Sequence, residues 1–271
     1  MYAAPDATFF SGYHTPLLEF RAVSKSFHRP GGSIVRAVRT VSFEVREAET
    51  VALVGESGSG KSTIGRMALC LVNPDEGTVL LAGRPVHALS ARDLQKARTI
   101  IQPVFQDPGS SFNPRRTIRD HLAQAARRLP PAERERLSVE ILERVGLKPG
   151  PEYLPRYPHE LSGGQRQRAA IARALAVDPR IIIADEPLSG ADVSIRGHIL
   201  NLLKDLRAER RVSYLMITHD ITIARAFAHK VAVMKEGTIV EFGAAEEVLE
   251  TPQHPYTRRL LQAVPRIRFR R

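Results

Sequence analysis

The sequence predicts an α/β fold with three parts: a parallel sheet covered by helices, an antiparallel β layer, and an inserted α-helical subdomain. Short apolar strands alternate with helical patterns in the last third of the chain, which is typical of a parallel sheet covered by helices. β-like segments interrupted by a turn fill residues 17–45 and indicate an antiparallel layer. Helical patterns lie between the early and the late strands, and they therefore predict an insertion into the core.

The N-terminal elements begin with the antiparallel layer. Its β-like residues, on either side of a turn at 29–32, lie at 18–20, 23 and 40–45. Residues 50–54 form an apolar strand of the buried type, followed by a glycine-rich turn and a helical pattern from 61 to 72. Because a strand, a loop and a helix follow one another here, we expect the start of a nucleotide-binding unit.

The middle of the chain has a different character, which we assign to the helical subdomain at about 107–175. Its helical patterns, separated by prolines at 130–131 and by a proline-bearing stretch at 149–158, lie at 117–128, 132–145 and 163–177. The later strands at 180–185, 212–218 and 230–234 alternate with helices at 193–210 and 221–228. The sequence has no internal repeat, so we expect a single copy of this unit.

The composition excludes several classes of protein. The chain has 271 residues, 43% of them hydrophobic, which is enough for a substantial core. Its apolar runs are far shorter than the roughly 18 residues that a membrane-spanning helix needs. The single cysteine, Cys70, excludes an intrachain disulfide framework and favours a reducing cytosol. Residues 1–16 lack the pattern of a secretory signal, and we interpret them as a flexible leader.

The charge favours an anionic partner. A net charge of +11 is suited to nucleotides, nucleic acids or anionic lipid headgroups, and charge alone does not choose among them. Part of the excess lies in the basic tail at 266–271. A solvated chain end is the preferred interpretation of this tail, and a contact with membrane phosphates is the alternative.

A phosphate-binding motif carries the strongest functional signal. Residues 55–62, Gly-Glu-Ser-Gly-Ser-Gly-Lys-Ser, match G-x-x-x-x-G-K-[ST] at every defined position, between a strand and a helix. The glycines let backbone N–H groups close around phosphate oxygens, Lys61 reaches the β- and γ-phosphates, and the Ser62 hydroxyl can bind Mg²⁺. An ordinary glycine-rich turn is the alternative, and the strand-to-helix context disfavours it. The motif predicts a P-loop NTPase (RecA-like) sheet.

Two adjacent carboxylates end the next buried strand. Asp185 and Glu186 follow the apolar residues 181–184, and neighbouring strand residues point in opposite directions. Asp185 can therefore hold Mg²⁺ through its water shell, while Glu186 can polarise an attacking water as general base. A solvated acidic strand end is the weaker alternative, because the same chain carries a phosphate loop.

A second anion-binding element precedes a helix. Leu161-Ser162-Gly163-Gly164-Gln165 leads into the helix that carries Arg166, Gln167 and Arg168. Ser162 could be an N-cap and nothing more, but N–H groups at a helix start also bind anions. An incomplete second element beside a complete phosphate loop suggests a site shared between subunits.

Taken together, these motifs resemble the ATP-binding cassette family over nearly the whole chain. Leu161 to Gln165 resembles the family's signature sequence, Gln106 its Q-loop glutamine and His219 its switch histidine. The resemblance implies that His219 contacts the γ-phosphate and that Phe27 stacks on adenine, although Phe27 could instead be a core aromatic. It also implies two cassettes head to tail, with two ATP molecules between them.

The resemblance completes the set of expected site residues. We expect catalytic roles for Glu186, His219 and Gln106, and Mg²⁺ contacts from Ser62, Gln106 and Asp185. The residues expected to contact ATP are Phe27, Gly55, Glu56, Ser57, Gly58, Ser59, Gly60, Lys61, Ser62, Thr63, Ser162, Gly163, Gly164, Gln165 and Asp192. Asp192 belongs to the D-loop, which reads Ser-Gly-Ala-Asp at 189–192 where the family usually has Ser-Ala-Leu-Asp. The smaller central pair puts the packing of this loop across a dimer in doubt.

Two further stretches resemble the ATPase subunits of oligopeptide, dipeptide and nickel importers, in their second, shorter type. They are residues 105–117 and residues 251–265. We therefore expect a leader at 1–16, an ATPase domain at 17–250 and an importer-type extension at 251–271. The resemblance implies three kinds of partner: a second, different ATPase subunit, two multi-span membrane permeases, and an extracytoplasmic binding protein acting indirectly. No nucleic acid partner is expected. It implies a peripheral location on the cytoplasmic face of the cell membrane.

Other functions remain open at this point. The same subunit type serves importers of nickel or metal chelates, and a cassette ATPase without a transporter, such as a carbon–phosphorus lyase pathway component, also fits the charge. A simple P-loop GTPase fits poorly, because the sequence has no Asn-Lys-x-Asp motif to read guanine.

Overall fold

The computed structural model describes residues 16–28, 32–105, 109–188 and 193–263, and it confirms the α/β fold. The strands are β1 (Leu18–His28), β2 (Ile34–Val45), β3 (Thr50–Val54), β4 (Glu76–Leu81), β5 (Arg84–Pro85), β6 (Ile101–Val104), β7 (Ile181–Asp185), β8 (Ser213–Thr218), β9 (Lys230–Lys235) and β10 (Thr238–Ala244). The helices are α1 (Lys61–Ala68), α2 (Ala91–Ile100), α3 (Ile118–Ala125), α4 (Pro131–Arg144), α5 (Gly150–Tyr153), α6 (Gly163–Leu175), α7 (Val193–Arg210), α8 (Ile221–Phe227), α9 (Ala245–Glu250) and α10 (Pro255–Gln262). The expected leader up to residue 15, Gln106, the D-loop at 189–192 and the basic tail lie outside the described residues.

The central sheet has six strands in the order β10-β9-β3-β8-β7-β6. All neighbouring pairs from β9 to β6 are parallel, and β10 is antiparallel to β9. In this register Val54 lies opposite Thr218, and Asp185 lies opposite Ile217. Because parallel strands end at the same edge of a sheet, the loops that follow β3, β7 and β8 lie side by side. This edge positions the site described below.

A second, antiparallel sheet lies over α1. Its order is β2-β1-β4-β5, and the rings of Phe20 on β1 and Phe43 on β2 stack with centroids 4.6 Å apart. Ile64 and Met67 of α1 belong to the same buried cluster as these rings. The antiparallel layer therefore packs onto the helix that begins at the phosphate loop.

The helical subdomain, with α3 to α6, has its own buried cluster, which continues into α7 and the strands β7 and β8. α3 begins with a capping box between Thr117 and Asp120, which satisfies two backbone donors at the helix start.

Helices tend to end earlier than the sequence pattern predicts: α1 stops at Ala68 rather than at residue 72. Cys70 follows with a φ of 56°, and a left-handed residue ends an α-helix.

The C-terminal elements form a third layer, in which the sequence predicted α8 but not α9 and α10. α8, α9 and α10 contribute to a buried cluster with Val54 of β3 and with Val231 and Val233 of β9. This cluster includes Tyr256 of α10, and it brings the C-terminal segment close to the phosphate loop. Of the helices in the described ranges, none has the length and apolar character needed to cross a bilayer.

Candidate active site

The phosphate loop connects β3 to α1 and is packed too tightly for side chains at two of its glycines. Gly60 caps α1 with a φ of 108°, and a Cβ there would lie 2.2 Å from the carbonyl oxygen of Ala37. Gly55 has a φ of 152°, and a Cβ there would lie 2.1 Å from the carbonyl oxygen of Met234. Real Cβ atoms do not approach this closely, so the two positions require glycine. The loop is thus seated against β2 and β9.

Lys61 begins α1 and turns its ammonium back over this loop. Its Nζ donates hydrogen bonds to the carbonyl oxygens of Gly55 at 2.8 Å and Glu56 at 2.7 Å, and the residue is only 8% exposed. Burial lowers the pKa of Lys61, while the carboxylates of Glu186, Asp185 and Glu56 oppose that shift. The ammonium is therefore a desolvated positive charge beside the two strand-end carboxylates, as phosphate binding requires.

Ser62 and Asp185 face each other across the edge of the sheet. The hydroxyl of Ser62 lies near the carboxyl of Asp185. Burial raises the pKa of Asp185, the neighbouring charge of Glu186 raises it further, and Ser62, Lys61 and Arg66 act against that change. A hydroxyl and a carboxylate are oxygen ligands of the kind Mg²⁺ prefers, in combination with water and phosphate oxygens. The donor set therefore fits Mg²⁺.

Glu186 points the other way, towards the loop after β8. Its Oε1 accepts a hydrogen bond from the backbone N–H of His219 at 3.0 Å and lies 2.7 Å from Nδ1 of the His219 ring. The backbone of Glu186 has a φ of 50°, a left-handed conformation that is costly for a side chain larger than glycine. The Glu186 carboxylate is mostly buried, whereas the His219 ring is 68% exposed. The two strand-end carboxylates thus contact different groups, one Ser62 and the other His219.

The signature sequence begins helix α6. The Ser162 side chain accepts from the Gln165 N–H at 3.3 Å, and the Gln165 side chain accepts from the Ser162 N–H at 2.9 Å. Ser162 and Gly163 are exposed, and a Cβ on Gly163 would meet no atom within 4 Å. This helix start belongs to the helical cluster, whereas α1 belongs to the cluster under the antiparallel layer. An exposed, capped helix start is a suitable anion site for a ligand held by another molecule.

The structure places the remaining expected residues unevenly. Phe27 is half-buried near the end of β1, opposite Val35 of β2, and the Lys25 ammonium lies 5.6 Å from the centre of its ring. Thr63 is in the first turn of α1, and its N–H donates to the carbonyl oxygen of Gly60 at 3.0 Å. Gln106 and Asp192 lie outside the described residues.

Gln167 makes a contribution that the sequence did not predict. This α6 side chain is only 5% exposed, and its Nε2 donates to the carbonyl oxygen of Pro187 at 2.6 Å. Pro187 directly follows Glu186, so the bond ties the signature helix to the segment that carries the carboxylate. The available signal was its position, because Gln167 is a polar residue on the same buried face of α6 as Ile171 and Ala174.

The sequence also did not predict the contact of Tyr256, whose hydroxyl accepts a hydrogen bond from the Glu56 N–H at 3.3 Å. Tyr256 lies in the C-terminal stretch that the sequence analysis had used only to identify a subfamily. The C-terminal stretch was the available signal, but the sequence could not show that Tyr256 contacts Glu56.

Comparisons with known proteins agree with this geometry. Residues 38–189 match the family model described as ABC transporter, and residues 240–271 match the one described as oligopeptide/dipeptide transporter, C-terminal region. Over 234 residues the chain is 52% identical to the glutathione import ATP-binding protein GsiA of Escherichia coli O6:H1, an alignment that covers 85% of this chain and 37% of the relative. The chain therefore spans well under half the length of the curated relatives it matches.

Two solved structures are similar along almost their entire length. The ATP-binding cassette MJ0796, in a dimeric post-hydrolysis state bound to ADP and Pi, aligns with a TM-score of 0.77 and 32% identity over 84% of this chain and 98% of that chain. The cbiO1 protein from Clostridium perfringens, part of the ABC transporter complex cbiONQ, aligns with a TM-score of 0.75 and 28% identity over 93% of this chain and 97% of that chain.

Proposed function

We propose, from the premise that this chain belongs to the ABC transporter family, that it hydrolyses Mg-ATP as one of two cassettes powering a peptide-class importer. The observation that carries the proposal is the Glu186–His219 pair, which lies at the sheet edge beside a complete phosphate loop. A carboxylate fixed by a histidine next to bound triphosphate is suited to activating water.

Glu186 is the general base in this proposal. Both contacts with His219 use Oε1. Among the residues that the structure describes, Oε2 has only a 3.5 Å hydrogen bond from the Thr218 hydroxyl. Oε2 is thus the oxygen available to accept a proton from the attacking water. The exposed ring of His219 holds the carboxylate on one side and is free to approach the γ-phosphate on the other.

Residues 55–62 bind the phosphates. Lys61 exchanges its hydrogen bonds to Gly55 and Glu56 for bonds to the β- and γ-phosphate oxygens. Ser62 and Asp185 would hold Mg²⁺, which, when bound, neutralises charge on the transferring phosphoryl group. Gln106 is proposed to contact the same metal, and Phe27 to stack on the adenine.

The signature helix start is proposed to act on the ATP of a second cassette. Ser162 and Gly163 are exposed at a helix start away from this chain's own phosphate loop, where N–H groups such as that of Gly163 can bind an anion. The similar cassette MJ0796 is dimeric with ADP and Pi. Asp192, in the D-loop, is proposed to contact ATP at that interface. ATP binding closes the two cassettes, and hydrolysis followed by phosphate release reopens them.

Peptide-class import is supported by the C-terminal match and by relatives named as glutathione import proteins. The proposed partners are a second, different ATPase subunit, two multi-span permeases and, indirectly, an extracytoplasmic binding protein. The chain would then be peripheral to the cytoplasmic face of the membrane. Since the C-terminal match is to a transporter region, it does not favour a carbon–phosphorus lyase component.

The test is the ATPase activity of the membrane complex purified through a tag on this chain. Peptides should stimulate turnover of the wild-type complex more than nickel or metal chelates do. The Glu186→Gln complex should lose at least about 100-fold in turnover, as expected when a general base is removed, and keep its affinity for ATP. The exposed residue Glu246 on α9 provides the matched control, and Glu246→Gln should behave as wild type.

Two results would contradict separate parts of the proposal. Wild-type turnover by Glu186→Gln would contradict the role of Glu186 as general base. Purification of the chain without membrane subunits, or turnover that peptides do not stimulate, would contradict peptide import.

A further inference from the structure

A side chain of the C-terminal segment, residues 251–263, touches the phosphate loop. The Tyr256 hydroxyl accepts a hydrogen bond from the Glu56 N–H at 3.3 Å, across a sequence separation of 200 residues. Glu56 is the second residue of the phosphate loop, and its carbonyl oxygen accepts a bond from Lys61. The phenol therefore holds the same peptide segment that orients the lysine.

Tyr256 is itself rigidly placed. It is only 4% exposed, it belongs to the buried cluster with Val54 and Val233, and the Lys235 ammonium lies 5.4 Å from the centre of its ring. Burial raises the pKa of the Tyr256 phenol, so the hydroxyl stays neutral at physiological pH. A neutral hydroxyl that is fixed by packing is a dependable acceptor for one backbone N–H.

The C-terminal segment is anchored to β10 by a carboxylate. Glu241 accepts hydrogen bonds from the backbone N–H groups of Gln253 at 2.7 Å and His254 at 3.1 Å, and the His254 ring accepts from the Tyr256 N–H at 3.1 Å. Partial burial opposes ionisation of Glu241, but the nearby Thr257 hydroxyl and the hydrogen bonds from the Gln253 and His254 N–H groups outweigh it and lower the pKa of Glu241. The segment that leads into the helix of Tyr256 is thus held by a charged anchor.

The phosphate loop has a second external support on its other half. The Gly237 N–H, in the turn between β9 and β10, donates to the carbonyl oxygen of Ser59 at 2.9 Å. The two supports leave the central residues Ser57 and Gly58 exposed for a ligand. Tyr256 supports the first half of the loop, Gly237 the second.

We propose that Tyr256 is a positioning residue for the phosphate loop, through which the C-terminal segment sets the affinity of this chain for ATP. The inference rests on the proposed function, because it assumes that the loop binds ATP. The C-terminal segment then has a role in nucleotide binding, whereas its sequence had indicated only a subfamily. Loosening the segment, for example by a partner bound to it, would weaken ATP binding without any change in the loop's own residues.

Tyr256→Phe removes the hydroxyl and keeps the packed ring, which makes it the appropriate variant. Hydrogen–deuterium exchange at the Glu56 amide should become about threefold to tenfold faster in the full chain without nucleotide, because one net hydrogen bond is lost. The dissociation constant for Mg-ATP, measured by calorimetry, should rise by a similar factor.

Tyr214→Phe is the matched control. Tyr214 is fully buried, and its hydroxyl donates to the carbonyl oxygen of Leu203 at 3.1 Å, in the helical cluster. Its loss should lower the thermal unfolding midpoint as Tyr256→Phe does, yet leave both the Glu56 exchange rate and the affinity for ATP unchanged.

The outcomes separate this inference from the proposed function. Unchanged exchange and unchanged affinity in Tyr256→Phe overturn the inference, and so do equal losses of affinity in both variants. In either case ATP binding by the wild-type chain leaves the proposed function standing. A wild-type chain that fails to bind Mg-ATP overturns both.

Discussion

Replacing Gln167 by leucine should destabilise the chain and slow ATP turnover together. Leucine has a similar volume, so the main loss is the hydrogen bond from Nε2 to the carbonyl oxygen of Pro187 at 2.6 Å. Pro187 is buried, and a buried carbonyl left without a donor costs about 1–3 kcal/mol. For a chain of this size that corresponds to a fall of about 2–4 °C in the unfolding midpoint for each kcal/mol.

Thermal unfolding followed by circular dichroism measures the first effect, and steady-state ATPase activity measures the second. Turnover should fall more than affinity for ATP, because Pro187 follows Glu186 and lies away from the phosphate loop. Gln95→Leu is the matched control: Gln95 is exposed on α2, and such surface changes alter stability by less than about 0.5 kcal/mol. Equal unfolding midpoints for Gln167→Leu and Gln95→Leu would show that the hydrogen bond to Pro187 does not stabilise the chain.

Two further predictions concern the loop and the metal-binding carboxylate. Gly60→Ala should abolish ATP binding, because the added Cβ would lie 2.2 Å from the carbonyl oxygen of Ala37 and the residue has a φ of 108°. Gly197→Ala on α7 is the control, since a Cβ there would meet no atom within 4 Å. Calorimetry should show normal ATP binding by the control variant. Asp185→Asn should lose Mg-dependent turnover yet unfold at a higher temperature than wild type at pH 7. Burial raises the pKa of Asp185, so the ionised form costs folding free energy above that pKa, and the advantage of the variant should shrink as the pH falls through it. Asp205 is exposed, so Asp205→Asn should show no pH-dependent rise in unfolding temperature. Such a rise in Asp205→Asn would contradict this explanation.

The parts of the site that depend on local chain geometry were predictable from the sequence. The phosphate loop is a contiguous motif whose glycines, lysine and serine act within eight residues, and the Ser162–Gln165 capping box spans four. The strand-end carboxylates were predicted to diverge because strand residues alternate, and Asp185 and Glu186 do contact different partners. Their catalytic roles stay predictions.

The long-range contacts were not predictable, for a physical reason. The bonds from Gln167 to Pro187 and from Glu56 to Tyr256 join residues 20 and 200 positions apart, and only tertiary packing brings them together. The strands β4, β5 and β10 were not predicted either. The residues of β10, which are mostly half-exposed, lack a clean alternation of apolar and polar side chains.

ATP-dependent association of the Glu186→Gln chain with a second cassette would show whether two cassettes share the ATP site. Sedimentation velocity on the purified cassette pair, with and without Mg-ATP, measures it, and Glu246→Gln serves as the control. The shared site predicts a stable closed dimer for Glu186→Gln only when Mg-ATP is present, with bound ATP left unhydrolysed. A variant that binds Mg-ATP and shows no association with the second cassette would contradict the shared site.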